Sequence, residues 1–274
     1  MQSRRVAVAS ASALALAVSA TGCSSEKDYG LGERISIGVK YDQPGLSLRK
    51  DDGTFTGFDV DVARYVAREL GYDKDAIDFK ETKSADREDA LTSGAVDFVV
   101  ATYSITDERR QQVDFAGPYL LAHQDLLVRV HGEIEDVEDL NGKKLCSVSG
   151  STSAQNVKDD FAKDAELETL DSYAACLESL ADGDVDAVTT DDAILAGYAS
   201  QEQYVNKFEL AGLQLSNENY GIGVKKGNPE LVEGINDALK RMVEDESWFK
   251  AVLDHFSWAN YDNEPAPEIG AVVN

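Results

Sequence analysis

Histidine and cysteine are scarce in this chain, with three of each among 274 residues. His123, His131 and His255 lie far apart, and none falls in a nucleophile or metal-ligand motif, so no catalytic constellation and no metal site stand out. A P-loop and a dinucleotide fingerprint are both missing, and no cofactor is expected. Positive charge is also in short supply: 26 Lys and Arg stand against 51 Asp and Glu, a formal net charge of -25. Without a basic footprint the chain is not expected to bind nucleic acid, and the same charge disfavours a peripheral grip on anionic lipid. The uncharged stretch Val6–Ala20 holds only 15 residues. A helix needs about 20 to cross a hydrocarbon core.

What that stretch does resemble is a secretory signal, since Arg4 and Arg5 precede an Ala/Val/Leu-rich segment. It ends in Ala20-Thr21-Gly22-Cys23, which resembles a lipobox. That resemblance implies removal of residues 1–22 and lipidation of Cys23, with residues 23–32 as a short polar tether. Two acyl chains on one cysteine hold a protein firmly to a membrane where one is marginal. The sequence departs from the usual lipobox at Ala20, where Leu is customary, and ordinary cleavage releasing a soluble protein is the alternative. Cys146 and Cys176 are then the remaining cysteines, and an even number in an exported chain suggests a disulfide across a separation of 30 residues. The alternative is a pair of small buried thiols.

The body alternates short apolar runs with amphipathic helical ones, the pattern of an α/β fold. Strands are expected at Ile35–Val39, Ala76–Phe79, Val96–Ala101, Lys143–Val148 and Tyr220–Val224. Helices are expected at Phe58–Leu70, Asp86–Ser93, Ala154–Lys163, Glu230–Glu244 and Ser247–Leu253. An internal echo suggests two equivalent units: Leu91, Gly94, Val96, Asp97 and Val99 recur 89 residues later as Leu180, Gly183, Val185, Asp186 and Val188. Each copy is a helix ending at glycine and a strand ending in polar residues, and open α/β sheets bind ligands at such strand ends. Two units facing each other would make a cleft. The Ser149–Ser153 turn before a helix offers backbone N–H groups to an anion, or simply caps the helix.

The segment Thr102-Tyr-Ser-Ile-Thr-Asp-Glu-Arg-Arg-Gln-Gln-Val-Asp-Phe-Ala-Gly-Pro-Tyr119, with Gly57-Phe-Asp-Val-Asp-Val-Ala63 and Gly183-Asp-Val-Asp-Ala-Val188, resembles the polar amino-acid family of solute-binding proteins of ABC importers. It is most like the glutamate-binding lipoproteins of Gram-positive bacteria. The resemblance implies a two-lobed α/β fold of the periplasmic-binding-protein type II, with the ligand cleft between lobes. Residues 33–124 and 219–258 are expected to form lobe 1, residues 125–218 lobe 2, and residues 259–274 an irregular tail. Crossing strands are expected near His123–Leu127 and Leu215–Tyr220.

The same resemblance implies a ligand site. Arg109 falls where the family grips the ligand α-carboxylate, and a planar guanidinium offers it two parallel donors. Thr102 and Ser104 precede it in the turn. Asp191 falls where the ligand ammonium is held, with Asp192 beside it as a possible helix cap, and Ser151 and Thr152 reach in from the second lobe. Lys40, Ser84 and Arg87 fall where relatives set side-chain selectivity; two further cations suit a ligand with a second carboxylate. In the alternative, Lys40 is solvated and Arg87 pairs with Glu88, Asp89 or another acid. Tyr41 and Tyr103 either cover the ligand or pack the lobes. The expected partners are an amino acid and ABC permease subunits, with the binding protein itself a monomer tethered to the outer face of the membrane. A dehydratase-like enzyme and a sensing module on the same scaffold are the competing classes.

Overall fold

The computed structural model describes residues 29–259 and 261–273. The expected signal segment 1–22, the lipidation site Cys23 and tether residues 24–28 lie outside the described residues. Among the described residues no helix is long and apolar enough to cross a membrane.

The buried strand β1 (Ile35–Val39) opens the first lobe, and β2 (Asp42–Gln43), β3 (Ser47–Arg49) and β4 (Phe55–Thr56) form a small antiparallel sheet beside it. Gly57, at φ 129°, then lets the chain enter α1 (Phe58–Glu69), since a Cβ there would lie 2.1 Å from the Leu46 carbonyl oxygen. Phe58, Val62, Tyr65 and Val66 recur at helical spacing and face the core, while Arg68 stays in solvent. β5 (Ile77–Glu81) pairs with one edge of β1, α2 (Arg87–Ser93) returns, and β6 (Phe98–Val99) pairs with the other edge. The expected strand Val96–Ala101 is thus shorter, although Asp97 and Val100 still donate to the Ser36 and Gly38 carbonyls at its ends. A single turn, α3 (Asp107–Arg110), follows, capped by the Thr106 hydroxyl.

β7 (Val113–Arg129) is one uninterrupted strand of 17 residues. Beyond it the second unit runs β8 (Lys144–Val148), α4 (Thr152–Asn156), β9 (Glu166–Leu170), α5 (Tyr173–Asp182), β10 (Ala187–Asp191), α6 (Asp192–Ala199) and β11 (Phe208–Leu210). The chain returns through β12 (Asn217–Lys225) to α7 (Pro229–Glu244) and α8 (Ser247–Phe256). The helix expected over Ala154–Lys163 instead starts at Thr152 and widens after Asn156 into a π turn over Val157–Phe161. The Ala162 N–H reaches back five residues to the Val157 carbonyl at 2.7 Å, a widening that sets buried Val157 and Ala162 on one face.

The strands order as β5-β1-β6-β12-β7-β10-β8-β9, with β11 also on β7. β12 pairs with β7 from Val113 to His123, and β10 pairs with it from Gln124 to Val128, so β7 belongs to both lobes. This is the mixed α/β arrangement expected of a two-lobed binding fold.

The internal echo is a structural repeat. Gly94 (φ 76°) and Gly183 (φ 83°) both end their helices in the left-handed conformation. Asp97 accepts from the Ser36 N–H at 2.7 Å and Asp186 from the Lys144 N–H at 2.9 Å, each clamping the start of the neighbouring strand. In the second lobe Cys146 on β8 and Cys176 on α5 form a disulfide. Closing a loop of that length stabilises by about 3.5 kcal/mol on the chain-entropy estimate. In the first lobe Trp248 is anchored edge-on to Phe58 and donates through its indole to the Tyr119 carbonyl at 2.8 Å.

Candidate functional site

The ends of β1, β6 and β10 and the starts of α2, α3 and α4 converge between the lobes. Ser84, Arg87, Thr102, Ser104, Arg109, Ser151, Thr152 and Asp191 line one shared space there, together with Ser153, Tyr173, Thr190 and Ile194. The side chains fill it so closely that only about 10 Å³ is free. Lys40, the remaining candidate, lines an adjoining cavity of about 300 Å³ with Ser84 and Tyr173, which border both.

On the first-lobe side the cations are buried and held by backbone oxygen. Arg87 donates to the carbonyls of Ser84 (3.2 Å), Ala101 (3.1 Å), Thr102 (3.0 Å) and, across the cleft, Gly150 (3.2 Å). Arg109 donates to the carbonyls of Ser104 (2.8 Å) and Gly150 (2.9 Å), and its Nε lies 3.6 Å from Glu88. The Tyr103 ring lies under both guanidinium groups, 4.2 Å from Arg87 and 5.1 Å from Arg109, and its hydroxyl donates to Glu88. Tyr103 therefore supports the cations and does not cover the cleft. Lys40 is only 6% exposed and donates to the Ser84 hydroxyl at 2.8 Å. Among the described residues neither Lys40 nor Arg87 has a carboxylate ion-pair partner, so the alternatives of a solvated lysine and an acid-paired arginine do not hold.

The second-lobe side is acidic. Asp191 accepts from the Tyr220 hydroxyl at 2.5 Å and from the Ser153 hydroxyl at 3.4 Å. Asp192 turns away: it accepts from the Ala193 N–H, from the His123 N–H on β7 and from the Tyr261 hydroxyl. Its role is to tie α6 to the crossing strand. Thr152 donates to Glu218 at 3.4 Å, and the Ser151 hydroxyl lies 3.1 Å from that of Ser147. Between the two sides stands Gly150, whose Cβ, were there one, would lie 2.6 Å from Ala85 Cα and N. Only glycine lets the lobes meet this closely.

Residues 35–257 match the bacterial extracellular solute-binding proteins, family 3. The chain is 44% identical over 266 residues to the glutamate-binding protein GluB of Corynebacterium efficiens, covering 92% of this chain and 90% of the relative. It is 39% identical over 215 residues to the ABC transporter glutamine-binding protein GlnH of Bacillus subtilis, covering 78% and 77%. Among solved structures, an ancestral arginine-binding protein bound to arginine superposes with a TM-score of 0.76 at 36% identity, over 82% of this chain and 99% of that one. The chain belongs to the family 3 extracellular solute-binding proteins. Its fold is the periplasmic-binding-protein type II fold that the motifs led us to expect.

In this solute-binding protein the electrostatics of the cleft are sharply divided. Burial, reinforced by Arg87, holds the Lys40 ammonium well below the usual lysine range. Burial, then Arg109, lowers the Arg87 guanidinium to about 10. Burial, then the negative charge of Glu218, pushes Asp191 well above the usual carboxylate range. Beneath the turn, burial raises Asp59 to about 6, although it accepts from the Tyr119 hydroxyl and the Thr102 N–H.

Two site residues escaped the sequence analysis. Glu218 on β12 is 4% exposed and accepts from the Ser216 hydroxyl at 2.8 Å. A signal existed, because Glu218 is the only charged residue in the expected crossing Leu215–Tyr220. Gln43 on β2 is 1% exposed, accepts from the Thr102 hydroxyl at 3.3 Å and lines the larger cavity beside Lys40. No pattern in the sequence distinguishes it.

Proposed function

We propose that this protein captures an amino acid with a carboxylate side chain, glutamate foremost, on the outer side of the membrane and delivers it to an ABC importer. The carrying observation is the division of the cleft: Arg109 and Lys40 supply two separate cationic positions on one side, and Asp191 supplies an anion on the other. A zwitterion with a second carboxylate matches all three. Arg109 takes the α-carboxylate, Asp191 the ammonium, and Lys40 with Ser84 the side-chain carboxylate. Arg87 holds the Thr102 turn and adds positive field, and Ser104, Ser151 and Thr152 complete the wall. The similarity to a glutamate-binding relative supports this choice. A glutamine ligand is the second reading, favoured by the similarity to a glutamine-binding relative.

Binding requires the lobes to part, since an amino acid cannot enter about 10 Å³. The entering α-carboxylate takes over the Arg109 donor now given to the Gly150 carbonyl, and closure strengthens every charge contact as water leaves. The crossings through β7 and β12 serve as the hinge. The protein acts as a binding component and not as an enzyme, as a monomer, with Cys23 as its lipid anchor.

Isothermal titration of the protein, unfolded and refolded to strip carried-over ligand, tests this with glutamate, aspartate, glutamine, asparagine, arginine and histidine. Tight binding of glutamate or aspartate with weaker glutamine is expected. A preference for glutamine or arginine would overturn the acidic specificity, and silence with all six would overturn the transport role.

A further inference from the structure

Among the described residues, Gln43 Nε2 is the one buried side-chain nitrogen or oxygen without a hydrogen-bond partner. A buried amide N–H without an acceptor is costly and uncommon, and it asks for an explanation. Gln43 is not a loosely placed side chain. It sits on β2, paired in register with Ser47, and its Oε1 accepts from the Thr102 hydroxyl at 3.3 Å, which leaves Nε2 as the unsatisfied end. The residue lines the cavity of about 300 Å³ that adjoins the head-group space and that Lys40, Ser84 and Tyr173 also line. Lys40 Nζ gives one of its three N–H groups to Ser84, so two remain. Gln43, whose unused neutral donor is buried at the cavity wall, and Lys40, with unused cationic N–H groups, thus line a single cavity.

We propose that Gln43 is a specificity-determining residue, the neutral donor that reads the far end of the ligand side chain in the cavity it shares with Lys40. This rests on the amino-acid-binding role proposed above. A carboxylate has two oxygens, so it can accept from Lys40 and Gln43 at once. A carboxamide has a single oxygen, for which the two donors compete, and its NH₂ group faces further donors. Gln43 therefore favours an acidic side chain over its amide without adding charge to the cleft. A residue acting only as a prop for Thr102 would affect all amino acids equally, because Thr102 belongs to the head-group space.

The test is isothermal titration of wild type, Gln43→Leu and Gln43→Glu with glutamate, glutamine and norvaline, which keeps the chain length of glutamate but lacks its terminal group. Thermal melts establish that each variant folds. Gln43→Leu is expected to weaken glutamate by about tenfold or more, glutamine by less, and norvaline by no more than about twofold. Gln43→Glu places a carboxylate against a carboxylate and is expected to shift preference from glutamate towards glutamine. Equal losses for glutamate and norvaline, or no loss for either, would overturn the assignment while leaving the protein an amino-acid binder. Wild type that binds neither glutamate nor glutamine would overturn the functional role and this assignment together.

Discussion

In the first lobe, the strand that follows Gly94 leads into a turn whose carbonyls hold Arg87 and Arg109; in the second lobe, the equivalent strand after Gly183 ends on Asp191, held by hydroxyls. The two units share their glycine caps and their strand-clamping aspartates, Asp97 and Asp186, yet deliver opposite charge to the same cleft. The repeated part builds the scaffold and the few residues past each strand end carry the chemistry, as fits binding at strand ends in open sheets. The net charge of -25 does not forbid an anionic ligand, because local cations at short range outweigh a diffuse surface field screened over about 8 Å.

The contrast between the two faces can be broken most severely on the cationic side. Arg109→Ala is expected to weaken every amino acid by about a thousandfold, since under the proposed assignment the α-carboxylate would lose its guanidinium partner in a desolvated cleft. Titration calorimetry reads this directly, and an unchanged affinity would remove Arg109 from the site. Asp191→Asn should break the opposite face with a loss of about a hundredfold, again for glutamate and glutamine alike, because both carry the ammonium. A loss confined to one of the two would reassign Asp191 to side-chain recognition.

Lys40→Met sharpens the comparison instead of breaking it. Glutamate should weaken by about tenfold and glutamine by little, so the ratio of their affinities falls. A matching loss for glutamine would mean that Lys40 supports the turn at Ser84 and does not select. The smallest effects come from pH. Asp191 titrates above the usual carboxylate range, so lowering pH through that raised value protonates it and weakens both ligands. Lys40 titrates below the usual lysine range, so raising pH removes its charge and narrows the glutamate preference. Affinities measured across pH should therefore fall together on the acid side and converge on the alkaline side; divergence there would contradict the role of Lys40.

Much of the scaffold was legible because local rules decide it. The periodicity of Phe58–Leu70 and the glycine stops at Gly94 and Gly183 needed no tertiary information, and the Cys146–Cys176 disulfide was suggested by the even count left once Cys23 is set aside, with two buried thiols as the alternative. The site candidates came from a motif and converge on one cleft and its adjoining cavity. What stayed hidden depends on long-range pairing. The motif chose Asp191 over its neighbour Asp192, but the reason lies in the pairing of β10 with β7, which sends one into the cleft and brings the other to the His123 N–H. Gln43 becomes significant through Thr102, 59 residues away. Gly150 matters because α2 of the opposite lobe starts against it, a contact no local pattern encodes. The π turn after Asn156 was likewise decided by packing, through buried Val157 and Ala162.

The most direct measurement is a crystal structure of the protein grown with glutamate. The expected density places the α-carboxylate on Arg109, the ammonium on Asp191 and the side-chain carboxylate between Lys40 and Gln43, with the Gly150 carbonyl displaced from Arg109. Glutamate bound in the reverse sense, with its side chain on Arg109 and its α-carboxylate at Lys40, or bound outside this cleft, would contradict the division of labour between the two faces.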